Sequence, residues 1–366
     1  MVRIHHIDET KKSFWNNEIQ KFEMVHPLNA YGWGEVRSVD KWKPVYLIAE
    51  NEGVVSGMMM ILIKRIPYSP YTIMYSQKGP VWNYEDRKTL VALIEEASRI
   101  GNESNAIFLR IDPNIKEDDI EEGDDPFKAL GFIHLENRWT FWNSPRDVYR
   151  IDLTKYDTAE KLFSMYDRDT RRCIRKAAKE GVTIEPATEI AQLEKFYAIF
   201  SEHSMARGFM IRGLEYQKKL WEAYVKENNG RLFLAMYKGE MIGGLICIQF
   251  ARRHLAMHMG TPYRYQKLQS NYAYLWESIK WAKETGCVWY SFRGVGTTPT
   301  QEYFKSKFLP EVVRLVGYYD LPLKPSLYKI FNFSEFTVLP KAWPYLIYLR
   351  KFLQKNSNNA TSEKEV

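Results

Sequence analysis

Pro44-Val45-Tyr46-Leu47-Ile48-Ala49, then Asn51-Glu52-Gly53, then Met58-Met59-Met60-Ile61-Leu62: two apolar runs joined by turn residues read as a β-hairpin. Sliding the chain by 186 residues lays Leu232-Phe233-Leu234-Ala235, Lys238-Gly239-Glu240 and the run from Met241 to Phe250 over it. Ala235, Gly239 and Gly243 then fall on Ala49, Gly53 and Gly57. The elements downstream of each hairpin repeat too. After the first come an extended stretch at Thr72 to Tyr75, the punctuation Gly79-Pro80, and a helix from about Asp86 to Ile100 that presents Leu90, Leu93, Ile94 and Ala97 on one face and stops at Gly101. A buried strand from Ala106 to Ile111 comes next, ending at Asp112-Pro113. After the second hairpin an amphipathic helix from about Leu268 to Glu284 stops at Gly286, and Cys287 to Phe292 forms the next strand at an offset of about 181. Hairpin, strand, helix, strand, in that order over about 65 residues and twice, predicts a duplicated α/β module.

The length of 366 residues agrees with two cores, because a single core rarely grows beyond roughly 250 to 300 residues. With 45% hydrophobic and 27% charged side chains the composition is that of a globular protein, which excludes a wholly disordered or fibrous chain. The longest apolar runs, Met58 to Ile63 and Trp343 to Leu349, fall short of the roughly 20 residues a membrane span needs, and MVRIHHIDETKK lacks the apolar stretch of an export signal. Cys173, Cys247 and Cys287 form no CxxC pair or disulfide framework, so the expected compartment is reducing and cytoplasmic. A net charge of +7 favours phosphates, acidic surfaces or nucleic acid without choosing among them.

Between the two copies, Tyr156 to Asn229 carries a helical pattern, started by Thr158 as N-cap and broken at Gly181-Val182-Thr183-Ile184 and at a bend at Gly208. The acidic run Glu117 to Asp125 reads as a surface loop. Val312 to Leu321 alternates as one strand, Pro322 to Pro325 interrupt it, and Leu327 to Leu353 is helical with a break at Pro340 or Pro344. The expected division is residues 1–145 with 317–355 as one domain, 146–316 as a second, and 356–366 as a disordered tail.

Several residue groups are candidates for chemistry. Arg168, Arg171, Arg172, Arg175, Lys176 and Lys179 place cations along a helical face, either to meet phosphates or simply as a solvated surface. Arg212 and Tyr216, four apart, offer a forked donor and a phenol to one phosphorylated ligand if both lie on a helix; an Arg paired with Glu215 or Glu222 is the structural alternative. Arg37 follows the Trp33-Gly34 turn. Lys305 and Lys307 sit among Tyr303, Phe304 and Phe308, where a lysine is able to neutralise an oxyanion or phosphate in a partly dry site, or merely to snorkel. Asp112, at a strand end, is able to orient or deprotonate an amine, although Asp before Pro is also an ordinary turn former. No metal is called for: His254 and His258, read as alternating on one strand face, have no third ligand nearby. Ser291 and Cys287 lack a nucleophile elbow or base partner. The repeated module suggests a GNAT-type acyltransferase, yet Gly260 to Lys267 has no closely spaced glycines for a CoA pyrophosphate.

Trp33-Gly34 with Arg37, Trp42-Lys43-Pro44, Arg110-Ile111-Asp112-Pro113, Arg207-Gly208-Phe209 with Arg212 and Tyr216, Tyr274-Leu275-Trp276, and Phe304-Lys305-Ser306-Lys307-Phe308 followed by Gly317 to Pro322 together resemble the FemABX family of peptidoglycan bridge-forming aminoacyltransferases. The resemblance runs from about Trp33 to Tyr328. It implies two GNAT-like mixed-sheet domains, the second inserted in the first, and transfer of an amino acid from aminoacyl-tRNA to the stem-peptide amine of a muramyl-pentapeptide precursor, either UDP-MurNAc-pentapeptide or its lipid-linked form, without a cofactor. It implies that Arg37, Arg212 and Tyr216 bind the precursor diphosphate, that Lys305 stabilises the oxyanion at the donor ester, that Asp112 handles a proton or orients the amine, and that Lys307, Arg171 and Arg175 touch tRNA. The chain departs from the family pattern at Lys307, where a glycine is usual, and at Leu309-Pro310. No long coiled-coil arm is present, which fits a monomer of the single-addition type. An acyl-CoA N-acyltransferase and a non-catalytic nucleotide-sugar or RNA-binding protein are the rival readings. Lys341 to Phe352 mixes aromatics with cations; Trp343, Leu346 and Leu349 are expected to close the first core, with peripheral contact at the inner membrane face as the alternative.

Overall fold

The computed structural model describes residues 1–121, 123–135, 145–207, 211–296, 298–342 and 345. Two mixed sheets carry the fold. The first runs β1 (Arg3–Ile7), β2 (Lys43–Asn51), β3 (Val54–Arg65), β4 (Thr72–Ser76), β6 (Ala106–Ile111), β15 (Tyr319–Pro322), β7 (Ile133–His134), with β5 (Val81–Trp82) also paired to β3. The second, read from the corresponding edge, runs β9 (Val182–Pro186), β10 (Gly230–Tyr237), β11 (Glu240–Phe250), β12 (Arg253–Gly260), β13 (Trp289–Gly294), β8 (Asp147–Asp152), β14 (Glu311–Arg314). Position for position the two agree: antiparallel pairs up to β4 or β12, one parallel step to β6 or β13, then two antiparallel strands. The parallel step needs a crossover, supplied by the helices Arg87–Glu103 and Ser270–Glu284.

The offset read from the sequence is physical. Ala49 pairs with Gly57 and Ala235 with Gly243, and a β-bulge comes directly after at Ala49/Glu50 and at Ala235/Met236, 186 residues apart. The faces correspond too. Met59 and Ile61 pack on the crossover-helix side of the first sheet, as Leu245 and Cys247 do in the second; Met60 and Leu62, like Ile246 and Ile248, face the other way. Those inward faces meet in one apolar layer shared by both sheets, filled by Trp15, Trp33 and Tyr46 from one side and Phe196, Tyr216 and Tyr224 from the other. Close approach fixes the layer: a Cβ on Gly32 would lie 3.0 Å from Ala223 Cβ, and the Tyr224 hydroxyl donates to the Pro27 carbonyl at 2.8 Å.

Two local expectations change and two become more definite. The first crossover helix runs through Gly101 to Glu103, because Gly101 lies against Leu323 and Met74, where a Cβ would meet atoms at 2.3 and 3.0 Å; packing, rather than termination, needs the glycine. The stretch Val312 to Leu321 is two strands in different sheets, β14 and β15, separated by a turn at Gly317 with φ +82°. Gly181 to Ile184, read as a helix break, leads into β9, the edge strand of the second sheet. Pro340 does not end the C-terminal helix, which runs from Pro325 through a wide turn at Ser334–Val338 to residue 342. The Gly208 bend, Trp343, Pro344, Leu346, Leu349 and the tail 356–366 lie outside the described residues.

That helix is fastened by a fully buried arginine. Arg110 of β6 forms a fork to Asp320 of β15 at 2.7 and 2.8 Å and a second fork to Glu335 at 2.8 and 2.9 Å, while the Tyr328 hydroxyl donates to Asp320. A guanidinium with no exposure survives burial only when its donors are so taken. Among the described residues no helix is long and apolar enough to cross a membrane.

Candidate active site

Arg37 lies in the last turn of the helix Tyr31–Ser38, on the first-sheet side of the shared layer, and is 8% exposed. Its guanidinium stands over the Trp42 ring at 5.4 Å, its Nε has no hydrogen-bond partner among the described residues, and burial holds its pKa below the usual arginine value. From the other sheet's side come Tyr216 and Arg212. Tyr216 is buried in the helix Leu214–Leu220, edge-on to Trp33, and burial raises its phenol pKa while Arg37, Arg212 and Arg293 act to lower it. Arg212 precedes that helix instead of sharing a face with Tyr216: Gly213 is the N-cap, so the guanidinium folds back over the phenol ring at 5.6 Å and binds Asp40 at 2.5 Å. The expected pair is thus made by stacking, and its acid is Asp40, not Glu215 or Glu222.

The second sheet opens beside this cluster. β12 and β13 are paired only through Arg253–Trp289, His254–Tyr290 and Leu255–Ser291; beyond that β12 continues on β11 as far as Gly260, and β13 continues on β8 as far as Gly294. Two parallel strands with different onward partners must splay. At the splay β13 bends through Arg293, whose φ of +64° is left-handed, a conformation costly for a residue with a Cβ. Lys305, on the helix Pro299–Ser306, holds the bend by donating from Nζ to the Phe292 carbonyl at 3.3 Å and the Gly294 carbonyl at 2.5 Å. Desolvation, aided by the Arg293 charge, lowers the Lys305 pKa to about 8.

His258 also enters here. The register of β12 skips Met257 against β11, and this bulge turns His258 away from the His254 face. His254 therefore stacks on Tyr290 in the second core, whereas His258 faces Phe200 and Tyr216. The reading that put both on one face fails for that reason. Burial pushes both down to about 3, so both stay neutral. Among the described residues no group of three His, Cys, Asp or Glu is placed to hold a metal.

Asp112 lies at the equivalent strand end of the first sheet, 1% exposed. One oxygen accepts the Lys78 backbone N–H at 2.7 Å, the other pairs with Lys78 Nζ at 2.9 Å, and Asp112 raises the pKa of the buried Tyr75 phenol after desolvation has done most of that work. Lys78 is itself lowered by burial, against the pull of Asp112. Lys307 reaches back to Asp167 at 3.0 Å, the N-cap of the helix Arg168–Lys179, and lies over Tyr303. On that helix Thr170, Ile174 and Ala177 are buried, Arg172 and Arg175 are outside, and Arg171 is half-buried with an unpartnered Nε; Arg175 stacks over Phe163. The structure thus brings Arg212 and Tyr216 together within reach of the Arg37 charge, links Lys305 to them through Arg293, and ties Lys307 to the helix that carries Arg171 and Arg175. Arg293 and Lys78 were missed in the sequence, and His258 was weighed only as a metal ligand. One signal was available for the first: Arg293 lies 181 residues after Asp112, the offset that already matched the two strands.

Two such sheets, with one parallel pair splayed beside a cationic cluster, define a tandem acyltransferase fold. Similarity to known proteins narrows the class: the FemAB family model matches residues 14–238 and 233–335, and the chain belongs to that family. A curated relative from Staphylococcus aureus (strain bovine RF122 / ET3-1), lipid II:glycine glycyltransferase, is 27% identical over 231 residues, which is 61% of this chain and 54% of the relative. The chain therefore spans about half the length of the curated relatives it matches. Among solved structures, FemX superposes with a TM-score of 0.80 at 18% identity over 90% of this chain and 99% of that one. A tandem GNAT protein of the clavulanic acid biosynthesis pathway gives 0.55 at 11% identity over 89% and 99%. These likenesses agree with the duplicated GNAT-like fold.

Proposed function

We propose that the protein transfers an amino acid from aminoacyl-tRNA to the stem-peptide amine of a muramyl-pentapeptide cell-wall precursor. The observation that carries this reading is the meeting of Arg37 with Arg212 and Tyr216, brought from opposite sheets, beside Lys305 at the splayed end of β12 and β13. Two forked cations and a phenol suit a diphosphate. The relative that acts on lipid II belongs to the same reaction class.

In this reading the stem amine attacks the ester carbonyl of the donor, a C–N bond forms, the C–O bond to the tRNA ribose breaks, and the amine proton ends on the departing hydroxyl. The ester is already activated, so orientation and charge stabilisation are what the site supplies. A free lysine-like amine must lose a proton at a cost of about 4 to 5 kcal/mol at pH 7. Asp112 is assigned to proton handling or amine orientation, with Lys78 as its counter-ion. Lys305 provides positive charge at the donor side. The outward cations of the helix Arg168–Lys179, together with Lys307, are assigned to the tRNA backbone. A lipid-linked acceptor suits the C-terminal helix: Ile330 and Phe333 are exposed on it beside Lys329, and its one acid, Glu335, is spent on Arg110. Weak sedimentation with anionic vesicles, reduced by Phe333→Glu, is the expected sign of that contact.

The test is transfer from radiolabelled aminoacyl-tRNAs to a precursor panel, with and without RNase. RNase-sensitive labelling of the stem peptide is expected; RNase-insensitive transfer requiring a CoA thioester, or precursor binding with no transfer from any aminoacyl-tRNA, rejects the reading.

A further inference from the structure

Resting on that reading, we propose that Arg293 is a third guanidinium of the acceptor's diphosphate site and that Lys305 is its positioning residue. Three observations carry this. Arg293 adopts a left-handed backbone that no glycine relieves, a strain that persists only where the surroundings over-determine it. The Lys305 ammonium donates to the carbonyls on both sides of that bend, Phe292 and Gly294, and so holds the backbone from which Arg293 projects. The charge interactions that weigh most on Arg293 are with Tyr216, Arg212, Tyr318 and Arg37, and none of these four is a carboxylate.

Among the described residues the charges that weigh most here are cationic: Arg37, Arg212 and Arg293 all act on the Tyr216 phenol, Arg212 lies over its ring, and Asp40 is engaged by Arg212. Arg37 is buried, Arg293 half-buried and Arg212 exposed at the edge, so the repulsion among them is only partly screened by water, and a diphosphate supplies two charges and several acceptor oxygens to such forks. The Arg293 charge also acts on Lys305, as it does on this cluster. An acceptor seated on Arg37 and Arg212 would thus reach the donor side through Arg293, and phosphate binding and acyl transfer share one bend of β13.

The proposal separates cleanly from the function it rests on, because binding is read without tRNA. Calorimetric titration of UDP-MurNAc-pentapeptide is run on the wild-type chain, Arg293→Gln, Arg293→Lys, Arg293→Gly, Lys305→Met and the double variant Lys305→Met/Arg293→Gln. Glycine accepts the left-handed bend, so Arg293→Gly removes the side chain without straining the fold, and thermal melts verify this. Arg293→Gln and Arg293→Gly are expected to weaken binding at least tenfold, with Arg293→Lys recovering part of the loss. Lys305→Met alone is expected to cost threefold or more, and the double variant less than twofold beyond Arg293→Gln. Binding by the Arg293 variants within twofold of wild type overturns the anion role. Additive losses in the double variant, or wild-type binding by Lys305→Met, overturn the positioning role. A wild-type chain that binds precursor yet transfers nothing rejects the function alone; one that binds no diphosphate-linked precursor rejects both.

Discussion

In the first sheet the parallel strands stay paired to their ends, Ser76 against Ile111; in the second they part after Leu255 and Ser291. Aligning Tyr75–Arg110 with Leu255–Ser291 shows what stands at each mouth. Three residues beyond Tyr75 is Lys78 and two beyond Arg110 is Asp112, a buried ion pair; the same steps from Leu255 and Ser291 reach His258 and Arg293. Opposite charges draw one mouth shut. A neutral imidazole and a guanidinium leave the other open, and that is where Lys305 sits. Two copies of one topology thus differ at this end in a pair of side chains as well as in how far their parallel strands stay paired.

The largest effect expected from breaking the comparison is on stability. Lys78→Met leaves Asp112 buried without its counter-charge and should cost about 3 to 5 kcal/mol in urea unfolding, whereas His258→Leu, which removes a ring whose Nε2 has no partner, should cost about 1 kcal/mol or less. Equal losses would mean the two mouths are not held differently. Next is the rate. Lys305→Met should lower transfer by roughly 100-fold, about 3 kcal/mol. In the wild type the positive charge of Lys305 is present below about pH 8 and lost above it, so single-turnover transfer at saturating acceptor should show a falling limb near that pH that the variant lacks. A limb unchanged in Lys305→Met assigns it to another group. Arg212→Ala should weaken precursor binding about tenfold, with Arg212→Lys recovering only part because the fork is lost; titration showing full recovery would reduce Arg212 to a point charge. The last effect, small at neutral pH and growing only in acid, belongs to His254. It is neutral when folded, about 3 against an ordinary 6.5, so the unfolded chain takes the proton first and stability falls as pH drops from 6.5 towards 3. His254→Phe should change stability at pH 7 by less than about 1.5 kcal/mol and flatten that acid decline by one proton.

Much of this was legible in the sequence because repetition is a one-dimensional signal. The hairpins, the crossover helices and the 186-residue offset show as patterns of apolar and turn residues, and the offset holds in the pairing of Ala49 with Gly57 and Ala235 with Gly243. Gly101 misled because a helix stop and a tight contact ask for the same residue. The single strand read at Val312 to Leu321 misled because alternation reports a half-buried strand without saying which sheet it joins. His258 was read on the wrong face because a bulge at Met257 adds one residue without any mark in composition. Arg37, Arg212, Tyr216 and Lys305 were each found singly, while the contacts among them arise only when two sheets close on a common layer.

The Arg110 forks have a bearing on biogenesis. Their acceptors, Asp320 and Glu335, lie 210 and 225 residues downstream. A ribosome therefore delivers the whole second sheet before the first can receive its β15 strand and neutralise its most deeply buried cation. The half begun first is completed last, a long-separation closure of the kind that slows folding and favours assembly by the later-made unit beforehand. A released chain truncated after Val316 should leave residues up to about Leu135 open to protease while β8 to β14 already resist.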